Sequence, residues 1–286
     1  CIRDSTYSGT GGLHQVYLGL GWSPFKGFAI GVNAAYLWGD YSRSVVNSYT
    51  DAYANTLSKY YTAEVHNYKL DFGMQYTQKI TKNDAITLGV TYGLGHKLSS
   101  NPKCQIISTN AQTAVADTAT YSIGNGLELP HSYGVGLMWN HANRWRVGAD
   151  YTLQKWSSVA YPKFDTSTNS YELVSGQFAD RHKMTVGGEF CPDERSRSFF
   201  KRVHYRMGAS YATDYLKIKG QNGPKEYSVS AGFGIPIVNG YNNRSLLNIS
   251  AQWVRQDSKT FVTENSFRIN IGLTFNERWF AKWKME

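Results

Sequence analysis

Nine side chains in this sequence could act together on a charged ligand. They are Asn33, Lys69, Asp71, Arg146, Asp150, Glu189, His204, Arg206 and Arg268. Each falls on the polar side of a segment in which polar and apolar residues alternate. The guanidinium and ammonium groups could hold a carboxylate or phosphate, and the acids could balance them. Two readings follow from these residue types. One is a passage or binding site for a ligand with a charged end. The other is a salt-bridged network that fills an interior whatever the function, because charges withdrawn from water must be paired.

Catalytic chemistry is poorly served. His66, His96, His131, His141, His182 and His204 are available as bases, and serines are plentiful. No G-x-S-x-G nucleophile elbow occurs, and nothing fixes a base beside a nucleophile. The glycine runs Gly89–Gly95 and Gly232–Gly234 are not followed by the Lys-Ser/Thr pair of a phosphate loop. Metal-type spacing of His, Cys and carboxylates is absent. The expectation is a protein that is not an enzyme and uses no cofactor or metal.

The elements that carry these residues are strands. In Ala85–Leu98, Ile86, Leu88, Val90, Tyr92 and Leu94 take every second place, with Thr87, Gly89, Thr91, Gly93 and Gly95 between them. Successive side chains of a strand point to opposite faces, so one face is apolar and the other small or polar. The pattern recurs at Leu13–Trp22, Phe28–Trp38, Tyr68–Tyr76, Ser132–Trp139 and Arg144–Trp156. It returns at Lys183–Phe190, Arg202–Tyr211, Tyr227–Ile235, Leu247–Trp253 and Phe267–Phe275. A soluble sandwich would turn the apolar face inward, and an outer-membrane barrel would turn it to lipid.

Bulk properties leave both open. No run of about 18 apolar residues exists, which excludes a membrane helix but not a barrel. Mean hydropathy is −0.44, and spanning strands that are half polar give such averages. The 21 Tyr, 8 Trp and 27 Gly against 7 Pro suit a barrel with aromatic girdles. Tyr36, Trp38, Trp139, Trp145, Trp156, Tyr211, Trp253 and Phe275 lie near strand ends, where girdles or ordinary strand propensity would place them. The net charge of +9 is scattered rather than gathered in an arginine-rich run. Nucleic acid is therefore not expected as a partner. Cys1, Cys104 and Cys191 are far apart; Cys104 is expected in a long loop and Cys191 in a short turn on the opposite side, unpaired.

Connection lengths decide between the two architectures. Ser23–Gly27, Thr81–Asp84 and His141–Asn143 read as short turns, whereas Arg43–Ser58, Ser99–Gly126 and Ser157–Phe178 read as long polar loops. Short turns on one side and long loops on the other are the periplasmic and extracellular ends of a membrane barrel. The fold expected is all-β: an antiparallel transmembrane β-barrel of the outer membrane, with roughly eleven strands of bilayer-crossing length. The odd count implies a missed strand or an absent N-terminal part.

Several motifs resemble the FadL-like outer-membrane transport proteins. Ser8-Gly9-Thr10-Gly11-Gly12-Leu13-His14-Gln15-Val16 followed by Phe28–Asn33 is similar to the family's first part. Leu129-Pro130-His131-Ser132-Tyr133-Gly134 is similar to its Pro-to-Gly strand start, and Asp150–Thr152 leading to Trp156-Ser157 resembles the next strand. Asn265–Trp283 fits its ending. The resemblance implies about fourteen strands, with a lumen hatch and roughly three strands preceding residue 1. Residues 1–275 would form barrel and 276–286 a short periplasmic tail. It implies a monomer in the outer membrane of a Gram-negative bacterium, in contact with membrane lipid. Its function would be passive uptake of long-chain fatty acids or other hydrophobic small molecules. Some relatives work in secretion, so a barrel serving as a protein-secretion or binding platform is the alternative. Tyr49, Tyr53 and Leu57 could make first contact with a ligand.

Overall fold

A computed structural model describes residues 3–51, 53–218, 220–239, 243–258 and 262–274. Phe275, the tail 276–286 and Cys1 lie outside the described residues. The first strands are β1 (Arg3–Phe25), β2 (Phe28–Tyr49), β3 (Thr56–Lys79) and β4 (Asp84–Gly93). Four short ones follow: β5 (His96–Leu98), β6 (Lys103–Thr109), β7 (Ala116–Ser122) and β8 (Leu127–Leu129). Next come β9 (Ser132–His141), β10 (Trp145–Gln154), β11 (Tyr161–Asp165), β12 (Ser170–Val174) and β13 (Arg181–Phe190). After a helical turn, α1 (Phe199–Arg202), the chain forms β14 (His204–Ala212), β15 (Lys217–Ile218) and β16 (Gln221–Asn222). It closes with β17 (Lys225–Asn239), β18 (Asn243–Asp257) and β19 (Glu264–Thr274).

Eleven of these make one antiparallel path, β1-β2-β3-β4-β9-β10-β13-β14-β17-β18-β19. This is the expected strand count. Among the described residues no ladder joins β1 to β19. The wall strands β4, β9, β10 and β13 are each 10 residues long, the length of a tilted bilayer crossing.

The apolar rows are not packed against one another in a dry centre. Leu18 is 70% exposed, Leu88 47%, Val135 46%, Met207 73% and Ile271 73%. These are the side chains assigned to the outward face. In water they would be a costly surface; in hydrocarbon they are the required one. At the short-turn rim, Trp145 stacks on Phe190 at 4.2 Å and Phe25 on Phe28 at 4.9 Å. Trp156 departs from expectation. It leaves the girdle and stacks on Tyr215 at 4.5 Å above the wall.

The long connections also differ from expectation. The segment Arg43–Ser58 is strand as far as Tyr49 and again from Thr56. Likewise β1 begins at Arg3, not Leu13, and Ser99–Gly126 contains β6 and β7. Within Ser157–Phe178, β11 pairs with β12. Cys104 is buried in β6 rather than placed in a loop, and both it and Cys191 are free. The upper parts of β1, β2 and β3, with β6 and β7, form a folded head beyond the wall. Ala63, Val65, Leu98, Cys104, Val159 and Phe164 are buried there, Val65 at 1% and Cys104 at 0% exposure. Tyr121 packs on Phe164 at 5.2 Å, and Lys59 lies over the same ring at 5.0 Å. Burial pushes the Tyr61 phenol up to about 12, and raises Tyr41 and Tyr171 for the same first reason.

Wall and head are joined through β1 and β2. Gly11 (φ 104°) and Gly39 (φ 147°) sit there. A Cβ on Gly39 would lie 2.2 Å from the Gly12 carbonyl oxygen, and one on Gly11 2.3 Å from that of Asp40. Only glycine permits this approach. Above this level the outward face of β1, β2 and β3 changes from Val, Leu and Trp to Ser8, Thr10, Ser42, Ser44 and Thr62. The Ser8 and Ser44 hydroxyls bond across the ladder at 2.6 Å.

Candidate functional site: the inner face of the wall

Alternation sends the second set of side chains to the inner face. Many are absent, because the residue is glycine. Register places Gly21 opposite Gly31, and Gly31 opposite Gly73. Gly89 faces Gly136, while Gly148, Gly187 and Gly208 form a third row. Three glycine rows, on β1–β3, β4–β9 and β10–β14, therefore make a stepped lane across the wall, interrupted where Gly73 faces Thr91 and Gly136 faces Asp150. Neighbours lean into the vacated space: a Cβ on Gly134 would meet Thr91 Oγ1 at 2.2 Å, and one on Gly136 would meet Asp150 Oδ1 at 2.2 Å. The lane widens into a trough of about 750 Å3 over β3, β4, β9, β10 and β13, bordered by Gln75, Thr91, Asp150, Lys183 and Thr185. That volume is in the range of small-molecule sites.

The charged residues of the sequence reading fall into separate groups. Arg146, Glu189, His204 and Arg206 come together at the short-turn end of β10, β13 and β14. Glu189 accepts from Arg146 Nη1 at 2.9 Å, Arg206 Nε at 2.6 Å and His204 Nδ1 at 3.1 Å. Arg206 also donates to Asn248 Oδ1 at 2.5 Å, and Glu194 lies 3.9 Å from Arg146. Two guanidiniums thus meet two carboxylates, so this cluster is largely self-neutralising. Cross-strand register makes it, since Arg146, Glu189 and Arg206 are direct partners along one row.

On the other side of the lane, Lys69 and Asp71 form an ion pair within β3. Asn33 stands opposite Asp71 in the ladder. Asp150 and Arg268 join neither group; among the described residues neither has an ion-pair partner. Arg268 sits on the edge strand β19, opposite Gln252. The inner face therefore carries two paired clusters with a nearly uncharged lane between them. Lys183, on the trough's border, was not among the expected site residues. Its place on the polar side of β13 could have marked it.

One further ion pair closes the neck of the β10–β13 connection. Lys155 Nζ lies 2.5 Å from Asp180 Oδ2, and the Ser157 amide donates to the same carboxylate at 3.0 Å. Burial pushes the Asp180 carboxyl up, but these donors outweigh it and hold it at about 2. No group of His, Cys, Asp and Glu suited to a metal ion occurs among the described residues. No helix among the described residues is long and apolar enough to cross a membrane.

Comparison with solved structures places the fold. The Ralstonia pickettii toluene transporter TbuX superposes with a TM-score of 0.60 at 12% identity, over 93% of this chain and 67% of that one. A Pseudomonas aeruginosa FadL homologue gives 0.54 at 15% identity, over 87% and 60%. The CymD monoaromatic hydrocarbon channel gives 0.50 at 13%, over 88% and 82%. The chain thus spans 60% to 82% of these proteins' lengths. The architecture is that of FadL-like outer-membrane β-barrels, as the motif resemblance implied. A family model described as BamG matches residues 2–286. No curated protein matches the sequence.

Proposed function

The chain belongs to the BamG family, and from that premise we propose that it forms the wall of a passive outer-membrane channel for hydrophobic compounds. The glycine lane carries this reading. A lumen meant only to be filled would be packed with side chains, as small barrels are. Here eight strands contribute bare backbone to one stepped path, and the nearby charges are mostly engaged with each other. Long-chain fatty acids fit the finer reading. Their chains would follow the lane, while Lys183 and Arg268 offer cations not tied to a carboxylate among the described residues. Nothing in the wall supplies energy, so transport would follow the concentration gradient.

Closure of the barrel is part of the proposal. In an eleven-strand antiparallel path β1 and β19 run in the same direction. Joining them by antiparallel ladders takes an odd number of further strands. Three would give fourteen, an even count like those of bacterial single-chain barrels.

Filling the lane provides the test. Gly89→Phe and Gly89→Trp each place a ring in the trough; a Cβ there meets nothing closer than the Gly136 carbonyl oxygen at 4.0 Å, and its inner-face neighbours Gln75, Thr87, Thr91 and Gly136 are uncharged. Uptake of labelled oleate by cells carrying either variant is expected to fall several-fold against wild type, with the protein still present in the outer membrane. Unchanged uptake, or uptake unaffected by deleting the gene, overturns the channel. A second reading, a platform for protein secretion or binding, is supported by the folded head, which is larger than an entry loop requires. It predicts that a protein partner crosslinks to the head and that filling the lane has no effect on that capture.

A further inference from the structure

A belt of histidines lies at the outer rim of the wall, on the lipid-facing side, and neither the conduit nor the ion-paired clusters use it. In each of two places a lipid-facing tyrosine meets a histidine from the next wall strand or the turn before it. Tyr92, near the outer end of β4, bonds His131 Nδ1 at 2.8 Å. Tyr151, near the outer end of β10, bonds His182 Nδ1 at 2.7 Å. A third pair, Tyr68 and His96, stacks face to face at 4.4 Å.

The first pair fixes its own proton. The Gly95 backbone amide also donates to His131 Nδ1, at 3.2 Å. A backbone N–H can only donate, so Nδ1 accepts and the neutral ring carries its proton on Nε2. The Tyr151 hydroxyl can donate to or accept from His182 Nδ1; we take the donating arrangement, which leaves the ring proton on Nε2 as in His131. Among the described residues neither Nε2 has a protein acceptor. Each pair therefore presents a ring N–H donor at the level where hydrocarbon gives way to headgroups. The tyrosines hold the rings, and the rings hold the donors.

We infer that this belt binds the phosphorylated sugar headgroups of an outer-leaflet glycolipid. The belt continues the exposed apolar band directly beneath it, which fixes a lipid as the occupant. Aromatic side chains at such an interface usually offer only an amphipathic ring. Here paired rings offer oriented N–H donors, which suit an anionic oxygen acceptor. Beside them, on β1 to β3, the outward surface above the membrane level is the array of serine and threonine hydroxyls already described. Hydroxyl groups of a sugar find donors and acceptors there. The inference rests on the wall facing lipid, but not on what passes through it.

The test uses the full-length protein purified from outer membranes in mild detergent. Native mass spectrometry would compare retention of a bis-phosphorylated glucosamine-disaccharide lipid, its dephosphorylated form and phosphatidylcholine. The variant His131→Phe/His182→Phe keeps both rings and both tyrosines and removes the N–H donors. Wild type is expected to retain the phosphorylated glycolipid best. The double variant is expected to retain at least about a hundredfold less of it, as loss of two hydrogen bonds to a charged group would give. Its binding of the dephosphorylated form should be unchanged. His131→Gln, which restores an N–H donor, should recover part of the loss. Equal retention by wild type and double variant overturns the inference, as does equal binding of the two glycolipid forms by wild type. Displacement of the lipid by inorganic phosphate alone would also overturn it, since the headgroup would then not be what is read. Wild-type protein that fails to fractionate with outer membranes would instead overturn the lipid-facing reading beneath it.

Discussion

Wall and head are built from the same strands under opposite rules. β2 and β3 run through both. In the wall, Leu88 and Val135 point away from the protein and stay 47% and 46% exposed. In the head, one ladder higher, Val65 and Cys104 are sealed at 1% and 0%. Lipid tails are as apolar as leucine, so the wall gains little by hiding its apolar face from them. The head stands in water and is held by burial. The difference lies in the solvent each part meets, not in the strand pattern.

Truncation should break the two regions unequally. Phe164→Ala removes a ring that is 8% exposed and is expected to destabilise the head by about 3–5 kcal/mol. Met207→Ala on the wall should cost less than about 1 kcal/mol. Limited proteolysis of the connections and heat-modifiability of the wall would report each separately; the reverse order would refute the division. A charge sharpens it next. Val135→Lys places an ammonium on the lipid face and should cost about 2–4 kcal/mol in a bilayer. Unfolding titrations in lipid vesicles measure this, and a negligible cost there would mean that the face does not meet hydrocarbon.

Alkali should loosen the head before the wall. The Tyr61 phenol is raised from 10.0 to about 12, so the folded head favours the neutral form. Its contribution is complete below pH 10 and is lost as pH rises through about 12. Tyrosinate absorbance followed alongside amide exchange in β3 and β6 would show it. Acid gives the smallest effect. Asp180 is lowered from 3.8 to about 2, so its pairing with Lys155 is fully present above the ordinary value and lost as pH falls toward 2. The cost should stay below about 1 kcal/mol for a pair this near the surface, and Asp180→Asn should flatten the acid limb.

The wall was legible because alternation there separates two chemistries. Ile86, Leu88, Val90 and Tyr92 against Thr87, Gly89 and Thr91 allow one reading of which faces are apolar. The upper halves of β2 and β3 were not legible. Ser42, Ser44 and Ser48 alternate with Tyr41, Arg43 and Asn47, and both sets look like loop. A strand whose faces are both polar or aromatic lacks the contrast on which period-two reading depends. Among the site residues, membership of the inner face could be read, but partnership could not. Arg146, Glu189 and Arg206 meet because three strands are in one register, and register depends on connections such as 191–203 that a linear pattern does not measure. Cys104 shows the same limit from the other side. Nothing near it in sequence announces burial; β7 and the β11–β12 hairpin supply its cover.

The unbroken length of β2 and β3, 22 and 24 residues, has a mechanical consequence. Their hydrogen bonds run from the periplasmic turn to the top of the head without a joint. A hinged cover is not available to such a structure. If an entrance is regulated, the moving parts are the short hairpins clipped to the stalk, and a pull on the head is carried straight down the ribs into the membrane.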